Sequence, residues 1–274
     1  MHSIKKLAFI GGGNMAGALI GGLIRKGITG GQMAVADPSA EQLLRLNREF
    51  GILGTSDNAA AVRDAEVVIV AVKPQQMRAA AHALAPHLAD PLLVTIAAGI
   101  RIESLSRWLG GRGRIVRAMP NTPALVHAGV TGLHAPAGVG TEDRRTAEKL
   151  MSAVGAAIWF ESESDLDAVT AVSGSGPAYV FYAMEALESA ARELGLAQGA
   201  SRSLALWTFV GATKLAIERG EDASALRAQV TSKGGTTERA LEVLDEARVK
   251  DHFIAAVKAA CERSRELGAA LGED

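Results

Sequence analysis

The chain has 274 residues, of which 48% are apolar and 22% charged, and its formal net charge at pH 7 is −1. This length and composition predict one or two globular domains and exclude a disordered polypeptide. The near-neutral charge and the aromatic content of 4% argue against nucleic acid or an anionic membrane as a partner. The single cysteine, Cys261, excludes an intrachain disulfide, and the histidines lack metal-ligand spacing, so no metal site is predicted. Because no stretch has the pattern of a signal peptide or a membrane span, a cytoplasmic protein is expected.

Short apolar runs alternate with amphipathic stretches over the first part of the chain. The apolar runs predict strands, which we expect at residues 7–10, 33–36, 67–72 and 92–96 and from 115 onward. The amphipathic stretches predict helices, which we expect at residues 14–25, 39–50, 75–88 and 102–109. Strands that alternate with helices indicate right-handed βαβ units and a parallel sheet, so an α/β fold class is predicted.

A glycine-rich turn joins the first strand to the first helix. In it Gly11, Gly13 and Ala16 match the dinucleotide-binding fingerprint, in which backbone N–H groups at a helix N-terminus receive a pyrophosphate. Asp37 ends the second strand, where an acid binds the ribose hydroxyls of NAD and repels the 2′-phosphate of NADP. A purely structural turn is the alternative, but the strand–turn–helix context favours a Rossmann-type dinucleotide site.

The pattern changes at the polar segment 161–164, and no convincing strand follows it. Helical spacing appears at 166–172, 179–194 and 203–218 and in three shorter stretches, and a Ser/Gly-rich segment at 173–177 interrupts the first. We therefore predict a dinucleotide-binding Rossmann domain over residues 1–161 and an all-α domain over residues 162–274.

Three further loops leave predicted strands at the same edge of the sheet. Lys73, followed by Pro74, could support a cofactor phosphate or polar group, and the small residues at 97–99 would let a flat ring lie against the backbone. Asn121, in a loop with two prolines, could offer its amide to a ligand. An ordinary strand-to-helix turn is the alternative for Lys73, and together the three loops would line one crevice.

A second glycine-rich loop lies in the helical part, at residues 231–237, and precedes a helix predicted over 238–244. Backbone N–H groups and hydroxyls at a helix N-terminus bind anions such as a carboxylate, and a threonine could donate to a neighbouring heteroatom. An ordinary N-cap explains the loop equally well from the residues alone. No protein general acid is evident, which suits hydride transfer, where the cofactor carries the chemistry.

In six segments, taken in order, the chain closely resembles the pyrroline-5-carboxylate reductase family. The matching segments are residues 9–15, 71–75, 96–99, 117–123, 172–179 and 231–237. The resemblance implies reduction of the imine of 1-pyrroline-5-carboxylate to L-proline, the final step of proline biosynthesis, by NADPH or, in some members, NADH. It also implies that the helical domain forms a homodimer, which some members assemble into rings.

The resemblance also implies roles for individual residues. The pyrophosphate would be held by Gly11, Gly12, Gly13, Asn14 and Met15, and the adenosine ribose would be reached by Asn58. The nicotinamide side would be lined by Ala71, Val72, Lys73, Pro74, Ala97, Ala98 and Gly99. The substrate carboxylate would be bound by Ser232, Lys233, Gly234, Gly235, Thr236 and Thr237, and Thr237 would hydrogen-bond the ring nitrogen.

Two positions depart from the family pattern. Asp37 and the two residues after it stand where members often carry Ser, Thr or Arg, which argues against a firm NADPH preference. Lys233 stands where Pro is common and adds a positive charge beside the expected carboxylate site. Two alternatives remain: a related two-domain reductase of another imine or a 3-hydroxy acid, with Lys214 as the candidate catalytic lysine, or a non-catalytic NADP-binding sensor.

Overall fold

A computed structural model describes residues 4–272, and backbone contacts divide the chain into two compact units. The first, called here the sheet unit, runs as far as Ser175 and resumes at Ala260. The second, called the helical unit, is Gly176–Ala259. Within residues 4–272, no helix combines the length and the apolar composition that crossing a membrane requires.

The sheet unit contains an eight-stranded sheet with the order β3-β2-β1-β4-β5-β6-β7-β8. Its strands are β1 (Leu7–Ile10), β2 (Met33–Ala36), β3 (Gly54–Thr55), β4 (Val67–Val70), β5 (Leu92–Thr95), β6 (Ile115–Met119), β7 (Gly129–His134) and β8 (Gly155–Trp159). All neighbouring strands are parallel except β6 and β7, which pair antiparallel. The central strands β1, β4 and β5 are buried along their whole length, because helices cover both faces of the sheet.

Seven α-helices lie wholly within the described part of the sheet unit. They are α1 (Asn14–Arg25), α2 (Ala40–Phe50), α3 (Asn58–Val62), α4 (Pro74–Leu84), α5 (Ile102–Trp108), α6 (Thr141–Met151) and α7 (Asp165–Val169). Ser39 caps α2 by accepting from the Gln42 N–H, and Pro74 occupies the first turn of α4, where its missing N–H costs nothing. Two apolar clusters form the core, one including Phe9, Leu19 and Ile69 and the other Ile10, Val68 and Met77.

The helical unit follows a π-helical turn at Thr170–Gly174. It contains α8 (Gly176–Glu193), α9 (Gln198–Arg219), α10 (Ala223–Gln229), α11 (Thr236–Glu246) and the first part of α12 (Val249–Gly272). The rings of Tyr179 in α8 and Phe253 in α12 meet edge to face at 5.6 Å. Most large apolar side chains of this unit are exposed, and α8, α10 and α11 contain no buried residue.

The α/β fold class is confirmed, and several element predictions need correction. Strands β3, β7 and β8 and helices α3 and α6 were not predicted. The sheet is not wholly parallel, because β7 returns beside β6 after a short 3-10 connection, Thr122–Val126. The expected interruption at 173–177 is instead a π-helical turn, after which the helix resumes at Gly176. The last helix is not short, since α12 has 24 residues. The domain boundary at 161/162 stays a prediction.

Candidate functional site

The loops that follow β1, β2, β4, β5 and β6 leave the same edge of the sheet, because these strands are parallel. The chain proceeds from β1 outward to β3 on one side and from β4 outward on the other. The strand order therefore reverses between β1 and β4, and open α/β sheets bind ligands in the crevice at such a reversal.

Gly11 lies at this reversal, directly after β1. Its φ of +98° is in the region that favours glycine, and its N–H donates to the Ala36 carbonyl over 2.8 Å. A β-carbon on Gly11 would lie 2.7 Å from the carbonyl oxygen of Ala71, the residue that follows β4. Glycine is therefore required for the turn after β1 to approach the turn after β4.

The N-terminus of α1 begins immediately after this glycine turn. Gly13 is its N-cap residue, and within residues 4–272 no side chain accepts a hydrogen bond from the first N–H groups of α1. A β-carbon on Gly13 would have nothing within 4 Å, and Asn14 is exposed. The open space in front of these uncapped N–H groups fits a pyrophosphate, which the helix dipole would also stabilise.

Asp37 follows β2 and is tied to the same turn. Its Oδ2 accepts from the Gly12 N–H over 2.7 Å, and its Oδ1 accepts from the Ser39 N–H over 2.8 Å. The Arg45 guanidinium donates to the Gly12 carbonyl over 3.0 Å and to Gln42, so it already has backbone and side-chain partners. A fixed carboxylate therefore lies where the ribose would follow the pyrophosphate.

Two other predicted cofactor residues, Asn58 and Lys73, lie at the N-termini of helices α3 and α4 at this edge. Asn58 is the first residue of α3, half-buried, and α3 is capped by Asp57, which accepts from the Ala59 N–H over 2.9 Å. Lys73 is the N-cap residue of α4 and is exposed. Both residues are accessible at the predicted positions, and their contact with a cofactor stays a prediction.

The loop after β5 contains Ala97, Ala98 and Gly99. Ala97 is buried, its N–H donates to the Thr95 hydroxyl over 3.4 Å, and Gly99 has a φ of +79°. Ala98 is partly exposed, so this loop presents small side chains and backbone at the edge of the sheet.

Asn121 is buried after β6, and both ends of its amide are engaged. Its Nδ2 donates to the Ser173 carbonyl over 3.1 Å, and its Oδ1 accepts from the Val130 N–H over 2.9 Å. These bonds tie the loop after β6 to β7 and to the π-helical turn. Asn121 therefore stabilises the arrangement of these segments, and a contact of Asn121 with substrate stays a prediction.

In the helical unit, the second glycine-rich loop forms the N-terminus of α11, which begins at Thr236, two residues earlier than expected. Gly234 has a φ of +73°, and its N–H donates to the Glu238 carboxylate over 2.6 Å. Gly235 is the N-cap residue, and no side chain in the described chain caps this helix. Lys233, Thr236 and Thr237 are exposed, and the described residues offer no partner to the Thr237 hydroxyl. The first N–H groups of α11 are therefore open to an anion, whereas the Gly234 N–H is already engaged by Glu238.

A buried charge network beside the loop after β5 was missed by sequence reasoning. Arg117 in β6 is 1% exposed and donates to the Glu163 carboxylate over 2.9 Å, which also accepts from the Ile102 N–H over 2.8 Å. Burial lowers the pKa of the Arg117 guanidinium from its ordinary value, and the Glu163 charge opposes that shift. Arg101 donates to the buried Asp167 over 2.6 Å. These partners are far apart in sequence, so no local pattern could have indicated them.

Lys214, the candidate catalytic lysine of the alternative reductase, lies exposed in α9. Its Nζ is 3.8 Å from the Glu218 carboxylate one turn later. This is an ordinary surface ion pair on a helix, which gives no sign of a catalytic amine.

Two family models match the chain. The model described as pyrroline-5-carboxylate reductase dimerisation matches residues 163–267, and the one described as NADP oxidoreductase, coenzyme F420-dependent, matches residues 6–99. The chain is 46% identical to the pyrroline-5-carboxylate reductase of Pseudomonas aeruginosa, over 99% of this chain and 100% of that protein. It is 41% identical to the enzyme of the same name from Haemophilus influenzae, over 96% of this chain and 97% of that protein.

Solved structures of similar proteins cover both units. A pyrroline-5-carboxylate reductase from Coxiella burnetii matches with a TM-score of 0.92 at 40% identity, over 97% of this chain and 99% of that chain. A pyrroline carboxylate reductase from Plasmodium falciparum, solved with NADP bound, matches with a TM-score of 0.86 at 30% identity, over 98% of this chain and 99% of that chain.

Proposed function

The chain belongs to the pyrroline-5-carboxylate reductase family, and we propose from this premise which of its residues carry out the reaction. The established reaction of the family is NAD(P)H-dependent reduction of 1-pyrroline-5-carboxylate to L-proline, and this chain is an oxidoreductase of that kind. The observation that carries the proposal is the uncapped N-terminus of α1, which lies where the strand order reverses.

The pyrophosphate of the cofactor is received by the turn after β1. The free N–H groups at the start of α1 donate to the phosphate oxygens, and the bare Gly13 leaves room for them. The residues that form this part of the site are Gly11, Gly12, Gly13, Asn14 and Met15. Asn58, half-buried at the start of α3, reaches the adenosine ribose.

The nicotinamide lies farther along the sheet edge, against the turns after β4 and β5. Small side chains and exposed backbone let a flat ring approach closely there. The lining residues are Ala71, Val72, Lys73, Pro74, Ala97, Ala98 and Gly99. When bound, the reduced cofactor supplies the hydride.

The substrate carboxylate is received at the start of α11 in the helical unit. The uncapped N–H groups of that helix donate to it, and Lys233 adds a positive charge to the loop. The residues of this part are Ser232, Lys233, Gly234, Gly235, Thr236 and Thr237, with Asn121 as a further predicted contact. Holding the carboxylate in one place orients the imine carbon, and such orientation supplies much of the rate.

Thr237 is the proposed catalytic residue. Its exposed hydroxyl, which has no partner among residues 4–272, forms a hydrogen bond with the ring nitrogen of the substrate, as donor to a neutral imine or as acceptor from an iminium N–H. That nitrogen must end protonated, so the imine either arrives as the iminium or receives its proton through Thr237 and water.

Asp37 sets the choice between the two cofactors. Its carboxylate is held by two backbone N–H groups beside the pyrophosphate turn, where it accepts from ribose hydroxyls and repels a 2′-phosphate. The guanidinium of Arg45 beside this turn already donates to the Gly12 carbonyl and to the Gln42 side chain. NADPH is the cofactor that the family resemblance implies, and we expect Asp37 to move this chain toward NADH.

The assembly follows from the helical part. The dimerisation model of the family matches from residue 163 onward, which supports a homodimer through this part and a boundary between domains 1–161 and 162–274. A ring of dimers and a cytoplasmic location are the further steps of the proposal, and sedimentation of the purified protein tests the first of them.

The experiment is an initial-rate assay of NADPH and then NADH oxidation with 1-pyrroline-5-carboxylate. We expect turnover with both, and a higher kcat/KM ratio of NADPH to NADH in the Asp37→Ser variant than in the wild type. Folded protein without turnover would overturn the proposed residue roles. An unchanged ratio in the variant would remove Asp37 from cofactor selection alone.

A further inference from the structure

We propose that Gly268, in the last turns of α12, is a positioning residue for hydride transfer, because it sets how the loop 97–101 is placed. The proposal rests on the proposed function in one respect, namely that this loop lines the nicotinamide. Gly268 itself is expected to touch neither substrate nor cofactor.

Gly268 and Gly99 meet without side chains between them. Both residues are buried, and a β-carbon on Gly268 would lie 3.1 Å from the carbonyl oxygen of Gly99. In the other direction, a β-carbon on Gly99 would lie 3.5 Å from the backbone of Gly268 and from the Leu271 side chain. The backbone of α12 is therefore the surface against which the loop after β5 rests.

Contacts on either side of Gly268 hold α12 in this place. One turn before it, the Ser264 hydroxyl donates to the buried Asp167 over 2.9 Å. One turn after it, the Gly272 carbonyl accepts from the Ser104 hydroxyl over 3.2 Å and from the Arg107 guanidinium over 3.0 Å. Because the helix is held at both ends of this contact, it cannot simply retreat from a larger side chain at position 268.

The loop is also fixed to the same anchor. Asp167, which receives Ser264, receives Arg101 at its other carboxylate oxygen over 2.6 Å. Arg101 closes the loop just before α5, so a single buried carboxylate bridges the loop and α12. A shift of α12 at Gly268 would consequently displace residues 97–99 toward or away from the nicotinamide.

Gly268 has no conformational need to be glycine. It lies inside a helix and lacks the positive φ of Gly99 and Gly234, and alanine is the better helix former. The close approach to Gly99 is what the absence of a side chain permits. Replacing Gly268 by alanine should therefore favour the helix itself while it disturbs the placement of the loop, so the two effects can be measured separately.

The test compares Gly268→Val and Gly268→Ala with Ala269→Val, an exposed neighbour in the same turn. Binding is measured by fluorescence titration with the preferred reduced cofactor and with the fragment of it that lacks the nicotinamide. That fragment is ADP-ribose for NADH and 2′-phospho-ADP-ribose for NADPH. We expect Gly268→Val to weaken cofactor binding about ten-fold and to lower kcat about ten- to a hundred-fold, since misplacement by about 1 Å can cost that much. Binding of the fragment should match the wild type, and Ala269→Val should match it throughout.

Gly268→Ala should lower kcat by less while its thermal midpoint stays at or above that of the wild type, and it carries the test where the valine variant does not fold. A merely structural role would weaken cofactor and fragment equally or leave kcat unchanged, and either result overturns the proposal. Wild-type protein without turnover would instead refute the proposed function, so the two failures are distinguishable.

Discussion

The two compact units treat their apolar residues in opposite ways. In the sheet unit, β1, β4 and β5 are wholly buried and apolar clusters cover both faces of the sheet. In the helical unit, Phe181, Tyr182 and Trp207 are 64%, 76% and 69% exposed. Large exposed apolar surfaces mark interaction sites. The sheet unit therefore completes its own core, whereas the helical unit leaves an apolar surface uncovered, in agreement with the match of residues 163–267 to a dimerisation model.

The ion pairs of the two units differ in the same sense. The sheet unit buries Arg117 and Asp167 to 1% exposure and pairs each with a partner distant in sequence. In the helical unit, Arg239–Glu242 and Arg248–Asp251 join residues three apart on exposed helix surfaces. These buried ion pairs therefore connect distant segments of the sheet unit, whereas the exposed pairs of the helical unit connect only neighbouring turns of one helix.

The largest expected effect comes from placing charge on the exposed apolar face of the helical unit. We expect Phe181→Asp/Trp207→Asp to abolish the homodimer and with it the activity, because large aromatic residues at interfaces contribute about 2–4 kcal/mol each. Sedimentation velocity and the reductase assay measure the two losses. The control is Leu53→Asp, since Leu53 is an 83% exposed apolar residue of the sheet unit.

The control should keep the mass and turnover of the wild type. A double variant that stays dimeric and active would show that this face is not the interface. The contrast between the two units would then need another explanation.

Removing Glu163 tests the contrast between the ion pairs. Glu163→Ala leaves the buried Arg117 guanidinium without its carboxylate, and we expect a loss of about 3–5 kcal/mol in unfolding free energy. Glu242→Ala breaks an exposed pair and should change it by less than about 1 kcal/mol. Urea denaturation followed by circular dichroism measures both. Equal losses would contradict the distinction between buried and exposed pairs.

Sequence reasoning predicted the elements whose signals are local. The strands β1 and β2 and the helix α1 lie where the apolar spacing and the glycine fingerprint put them, because those features are set by neighbours along the chain. Strand β7 was not predicted because two glycines interrupt its apolar pattern. Strand β8 was not predicted because it is only partly buried. The length of α12 escaped for another reason, since its polar residues give weak periodicity over 24 residues.

In the candidate site, too, features set by local sequence were predictable and features set by tertiary packing were not. The open N-termini of α1 and α11 follow from glycines that the sequence displays, so both were predictable. The engagement of Asn121 with Ser173 and Val130, and the meeting of Gly99 with Gly268, depend on tertiary packing. These contacts join residues far apart in the chain, so no local spacing of residue types in the sequence indicates them.

Thr237 tests whether an exposed helix terminus in the helical unit carries chemistry. We expect Thr237→Ala to lower kcat by about ten- to a thousand-fold, a range guided by typical proton-transfer contributions. The KM for 1-pyrroline-5-carboxylate should change less, because the backbone N–H groups at the start of α11 remain. Thr237→Ser, which keeps the hydroxyl, should recover most of the rate. Unchanged kinetics in the alanine variant would remove Thr237 from the mechanism.

The finest test of the sheet unit compares two glycines of one turn. Gly11→Ala forces a side chain into a positive φ and within 2.7 Å of the Ala71 carbonyl, so we expect a loss of about 1–3 kcal/mol in unfolding free energy together with weaker cofactor binding. Gly13→Ala has a φ of −68° and free space around its β-carbon, so its stability should match the wild type. Its methyl group would nevertheless enter the space assigned to the pyrophosphate, and isothermal titration with the cofactor should show weaker binding. Unchanged affinity in Gly13→Ala would mean that the pyrophosphate does not lie in front of α1.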